Sequence, residues 1–153
     1  MALEFRNDML PYALGRRVNM EEWNTITRTL VGTTPIGFGA PVQRHTNHKG
    51  CAPYTSGEVI GISEASLVLP HPLDRYEQYD NVAICEVGVI GVMAGEAVTA
   101  GDLAGWDPAA NSGAGGWVTA DTGAPAVPGA QFESSGSTGE VVALRYRRPV
   151  PTA

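Results

Sequence analysis

Hydrophobic and polar positions alternate in short runs along this chain, and the runs are cut by glycine, proline and small polar residues. WNTITRTLV at 23–31 is rich in threonine and β-branched residues, with Ile26, Arg28 and Leu30 on one face of a strand. PIGFGAPVQ at 35–43 places Ile36, Phe38, Ala40 and Val42 on alternate positions and predicts a half-buried strand. A polar, histidine-bearing loop is expected from Arg44 to Thr55. GEVIGISEASLVL follows at 57–69, and PHPLDRYEQYD at 70–80 reads as a connection. NVAICEVGVIGVM at 81–93 is the most hydrophobic piece. It is too β-branched and glycine-interrupted for a helix, and predicts one or two central strands.

Further on, AGDLAGWD at 100–107 predicts a short strand after a turn, and 111–116 a glycine-rich hairpin loop into 117–120. PAVPGAQFE at 125–133 reads as a turn and an edge-type strand. EVVALRYR at 140–147 is the last strand, with Val142, Leu144 and Tyr146 alternating against Val141, Ala143 and Arg145, stopped by Pro149 and Pro151. These are eight to nine short strands, with helix limited to a turn or two near Met20–Trp23. The pattern is all-β, a small sandwich or barrel. Residues 1–22 fit neither period. Phe5, Met9, Leu10, Tyr12 and Leu14 are scattered along them and interrupted by Pro11 and Gly15, which predicts an extended N-terminal arm, either docked on a partner or folded back on its own domain. The body then covers 23–148, with a short tail at 149–153.

Composition agrees with this division. The 153 residues suit one domain, and 19 Gly and 11 Pro against 17% charged residues favour turns over long helices. Charge is uneven. Residues 1–31 and 32–72 are each neutral, 73–140 carry −9, and the tail 141–153 carries +3 through Arg145, Arg147 and Arg148. An acidic body with a single lysine, Lys49, repels a phosphate backbone, so no nucleic-acid partner is expected. The longest apolar stretch, 82–94, is far short of the roughly 20 residues a bilayer-spanning helix needs, so no membrane partner is expected either. Nothing resembles a secretory signal, which points to synthesis in a cytoplasm and to free thiols at Cys51 and Cys85.

Chemistry-bearing residues are sparse. His45, His48 and Cys51 fall at i, i+3 and i+6, with His71 and Cys85 elsewhere, but no second ligand pair completes a zinc set. A solvated polar loop is the better reading. No serine lies in a nucleophile elbow, and Cys51 beside His48 lacks the strand-to-helix setting of a catalytic thiol. Asp74, Glu77 and Asp80, and Asp102, Asp107 and Asp121, stand in turn contexts where aspartate caps its own backbone. Gly113, Gly115 and Gly116 lack the Lys-Ser/Thr of a phosphate loop. Neither catalysis nor a metal or other cofactor is expected. Trp23, Trp106 and Trp117 flank turns or strand ends, and Tyr76 and Tyr79 bracket the Asp80 turn. Such aromatics anchor interfaces or cap a core.

The ordered set PIGFGAPV (35–42), GEVIGIS (57–63), YEQYDNVAICEVGVIGV (76–92), AGD (100–102), VPGAQF (127–132) and GEVVALR (139–145) resembles the structural cement, or capsid decoration, proteins of tailed bacteriophages. The resemblance runs from about Pro35 to Arg145. It implies a β-sandwich or jelly-roll-like domain on the outer surface of an expanded capsid, bridging neighbouring major capsid proteins. It further implies a homodimer or homotrimer with terminal arms, and no catalysis. The candidate capsid contacts are Phe5, Arg6, Leu10, Tyr12, Arg16, Arg17 and Trp23 on the arm, and Arg145, Arg147 and Arg148 at the end of the last strand. The first 30 residues and the His/Cys loop depart from the family pattern. Two other readings compete: a tail or surface adhesive module, favoured if Trp106 and Trp117 form one exposed concave patch, and a small metal-binding enzyme, favoured by bound zinc.

Overall fold

The computed structural model describes residues 12–67 and 74–150. Phe5, Arg6 and Leu10 of the arm, and His71, lie outside the described residues. The elements in order are β1 (Asn24–Leu30), β2 (Ile36–Gly37), β3 (Pro41–Arg44), β4 (Gly50–Pro53), β5 (Val59–Ser63), β6 (Arg75–Tyr76), β7 (Asn81–Met93), β8 (Leu103–Asp107), α1 (Ala110–Gly113), β9 (Gly116–Thr119), β10 (Ala126–Phe132) and β11 (Val141–Arg147). The fold is all-β.

Nine strands form one sheet in the order β1-β4-β3-β5-β7-β11-β10-β8-β9, and β2 pairs separately with β6. β1 also pairs antiparallel with β7, from Asn24 opposite Val87 to Thr29 opposite Asn81. That second pairing closes β1, β4, β3, β5 and β7 into a ring. The pairing thus describes a five-stranded barrel-like closure extended by a curled sheet, in place of the two facing sheets of a jelly roll. β7 belongs to both parts. Over its 13 residues the first half serves the ring and the second pairs with β11, from Val87 opposite Arg147 to Met93 opposite Val141.

Two buried clusters follow the two parts. Leu30, Ile36, Val42, Cys51, Ile60, Tyr76, Val82 and Ile84 fill the ring. Ile90, Val92, Trp117, Phe132, Leu144 and Tyr146 lead the larger cluster under the curled sheet. The alternation expected in the last strand holds at its C-terminal end, where Leu144 and Tyr146 are buried and Arg145 and Arg147 exposed, but Ala143 is buried along with Val142.

Other expectations need correction. PIGFGAPVQ is two strands, β2 and β3, because Gly39 turns the chain between them at φ +74°, a conformation other residues rarely adopt. The polar loop 44–55 contains β4, and Cys51 is fully buried in the ring. The edge-type strand at 125–133 is interior: β10 pairs with β11 on one side and, across a register shift between Ala126 and Gln131, with β8 on the other. Residues 19–21 form bends, and the short turn α1 lies instead in the glycine-rich loop of the β8–β9 hairpin, where Asn111 and Ser112 stand at φ 52° and 59° and so interrupt any right-handed helix.

Candidate interaction surface

The segment before β1 lies along β7. Gly15 N–H donates to the Gly91 carbonyl (2.7 Å), Gly91 N–H to the Arg16 carbonyl (2.9 Å) and Val18 N–H to the Val89 carbonyl (2.9 Å). Residues 15–18 and β1 therefore occupy one side of β7 in sequence, interrupted by an excursion at 19–23. That excursion reaches the last strand. Arg145 pairs with Glu21 (2.7 Å) and with Glu133, and Arg147 pairs with Glu22 (2.6 Å). Both partners of the last pair are about two-thirds exposed, at 67% and 68%, so this contact is worth well under about 1 kcal/mol. Arg148 is more enclosed and binds Glu86 (2.7 Å) and Glu58 (3.4 Å).

The three C-terminal arginines singled out in the sequence thus already have carboxylate partners within the chain. Arg17 donates to the carbonyls of Asn19 (2.7 Å) and Glu21 (2.6 Å), and its guanidinium lies 5.7 Å from the Trp23 ring. Trp23 packs on Gly88, and its indole N–H is shared between Thr25 Oγ1 (2.9 Å) and Glu64 Oε1 (3.1 Å). Tyr12 and Arg16 are half-buried. Beside the excursion a groove of about 540 Å³ runs between Glu22, Val87, Leu103, Pro128, Tyr146 and Arg147. Leu103 is 59% exposed at its rim.

The remaining candidates resolve into structural roles. Burial pushes the Cys51 thiol up to about 11 and Cys85 to about 12, so both stay protonated and shielded. His45 Nδ1 accepts from the Asn47 N–H (3.2 Å) in the exposed β3–β4 turn. Among the described residues no three His, Cys, Asp or Glu side chains gather to hold a metal ion. Asp107 caps the Ala109 N–H (2.9 Å), and Asp121 caps Gly123 and Ala124 (2.7 Å each), as their turn contexts predict. Trp117 is fully buried and donates to the Gly39 carbonyl (2.7 Å), with Trp106 edge-on at 5.6 Å. Together they cap the core, and Trp117 offers no exposed platform.

Sequence reasoning passed over a second cluster. Arg28, His48 and Lys49 line a recess of about 320 Å³ with Thr27, Thr29 and Asn81, where the β3–β4 turn meets β1. In the sequence the turn reads as a solvated polar loop and Arg28 as one position of a strand. Their meeting depends on the parallel β1–β4 pairing, which local pattern does not encode.

Comparison with known proteins places these features in a setting. A family model described as structural cement protein (E217 gp24/Pam3 gp6) matches residues 4–147. Among solved structures, a chain from the capsid of Myoviridae phage XM1 superposes with a TM-score of 0.69 at 14% identity, covering 98% of this chain and 100% of that one. At that identity the likeness is one of fold. The head fibre gp8.5 N base of bacteriophage phi29 aligns with a TM-score of 0.48 at 12% identity, over 85% of this chain and 100% of that one. No curated protein sequence matches.

Proposed function

The chain belongs to the phage structural cement protein family, and from that premise we propose that it binds the outer surface of the expanded head and bridges neighbouring major capsid proteins. The observation that carries this reading is the extent of the family match: residues 4–147 take in the entire ring, the curled sheet and part of the N-terminal arm. A protein that binds only the assembled shell stabilises it by its binding free energy at each contact. Self-association as a homodimer or homotrimer multiplies the effect through avidity.

Phe5, Arg6, Leu10, Tyr12 and Arg16 are the proposed arm contacts. Arg147 is the most exposed of the three C-terminal arginines considered, so a capsid carboxylate displaces Glu22 there at small cost. Arg17, Trp23, Arg145 and Arg148 contribute by holding the arm base and last strand in place as well as by any contact of their own. Synthesis in the host cytoplasm and residence on the virion exterior complete the proposal.

Co-sedimentation with expanded empty heads tests it. Full-length protein is expected to bind saturably at a fixed ratio to the major capsid protein, and a chain lacking residues 1–11 to bind more weakly. Truncation through residue 22 is the poorer comparison, because it also removes the hydrogen bonds to β7 and the partners of Arg145 and Arg147. Absence of saturable binding by the full-length chain overturns the reading.

A further inference from the structure

The two ends of the nine-strand order are finished differently. Along β9 the outer edge is occupied: Gly95 N–H donates to the Trp117 carbonyl (2.7 Å), and Thr119 N–H donates to the Glu96 carboxylate (2.9 Å). At the other end, β4 covers β1 only at Thr29 and Leu30. Thr29 N–H donates to the Lys49 carbonyl, while Leu30 N–H donates across to Asp80 on the β7 side. Backbone groups alternate sides along a strand, so the amides of Thr25 and Thr27 point the same way as that of Thr29, past the start of β4. Both residues are exposed; the β1–β7 register turns their amides away from β7, and β4 pairs only with Thr29 and Leu30, so among the described residues no strand pairs with them on that side. An open strand edge of this kind is a template for pairing with another chain.

Beside this edge stand unpaired cations in an acidic molecule. Arg44, Arg75, Arg145, Arg147 and Arg148 each have a carboxylate partner, whereas among the described residues Arg28 and Lys49, like Arg16 and Arg17 in the segment before β1, have none. Of these four only Arg28 and Lys49 line the recess where the β3–β4 turn meets β1. Arg28 Nη1 donates to the Thr27 carbonyl (2.8 Å), which leaves the rest of its fork for a second acceptor.

We propose that the edge at residues 24–28 receives an extended, carboxylate-bearing segment of the capsid protein, which adds a strand to β1 and pairs its acids with Arg28 and Lys49. This mode takes affinity from main-chain hydrogen bonds and selectivity from the flanking side chains. A second copy of this chain fits less well. Its described acids stand in turns, as Asp74, Asp80 and Asp121 do, or in strands paired on both sides, as Glu86 in β7 does. The inference rests on the cement reading and names where the shell is gripped.

The test is binding to expanded heads by three full-length variants. Thr27→Pro removes the outward amide and places a ring on the edge, which an edge position tolerates because no strand of the fold pairs with it on that side. Lys49→Glu reverses charge on an exposed turn. Thr122→Glu places the same glutamate on the exposed β9–β10 turn, a change of one charge where Lys49→Glu changes two, as a control away from the edge. The first two are expected to lose about tenfold in affinity each while melting like the wild type, and the control to bind unchanged. Should Thr27→Pro fail to fold, Lys49→Glu decides. Wild-type affinity in both edge variants overturns the edge proposal alone. Failure of the wild type to bind heads overturns its premise. Wild-type oligomers in free solution that fall to monomers in Thr27→Pro assign the edge to a second copy and overturn the capsid segment.

Discussion

Glu64 shows how a single side chain sets a pH dependence. Trp23 donates to one carboxylate oxygen, but Oε2 is buried with no hydrogen-bond partner, and burial holds the carboxyl above its ordinary range. Ionisation therefore costs more in the folded chain than in the unfolded one. Stability falls as pH rises through the raised value and returns on protonation. Glu64→Gln removes the charge and keeps the shape. It is expected to be more stable than wild type by about 1 kcal/mol near pH ~8, with the difference vanishing near pH ~4. Urea unfolding at both pH values reads this directly, and a variant equally or less stable at the higher pH contradicts it. At this scale much was legible in the sequence: the capping aspartates follow from local turn chemistry. Cys51 was not, because it follows the polar run HTNHKG with no sustained apolar period around it, and only the ring makes it core.

Among the elements, strands with a sustained period were readable and short ones were not. β7 and β11 carry long β-branched runs whose neighbours are all strand residues. β2 and β3 share an apparent alternation that continues through Gly39, so the break is invisible without the backbone angle. The base of the arm is a sharper case, since Glu22 meets Arg147 across 125 positions of sequence. Neither residue's neighbours announce that contact. The junction between arm and β1 is held where Trp23 lies against Gly88. A Cβ there meets the indole Cε3 at 2.4 Å, closer than any side chain accepts. Gly88→Ala is therefore expected to cost about 2 kcal/mol by displacing Trp23 or bending β7. Denaturant melting of the variant against wild type measures it, and an unchanged midpoint contradicts this account of the junction.

For the molecule as a whole, strand content, acidity and the ordered family motifs were enough to reach a capsid-associated β domain. The route of the sheet was not, because alternation states which face is buried and says nothing of which strands pair. The closure of β1 on β7, the two cores served by one long strand and the open edge beside Arg28 and Lys49 all follow from that pairing. A cement protein must do more than bind: it must make the shell harder to break. The most direct measurement is thermal disruption of expanded heads, with the protein added from none to saturation and breakage followed by light scattering. Disruption is expected to move to higher temperature in step with occupancy and to level off at the saturating ratio. Heads that are fully decorated yet break at the same temperature as bare ones would contradict the cement account and leave the protein a passive decoration.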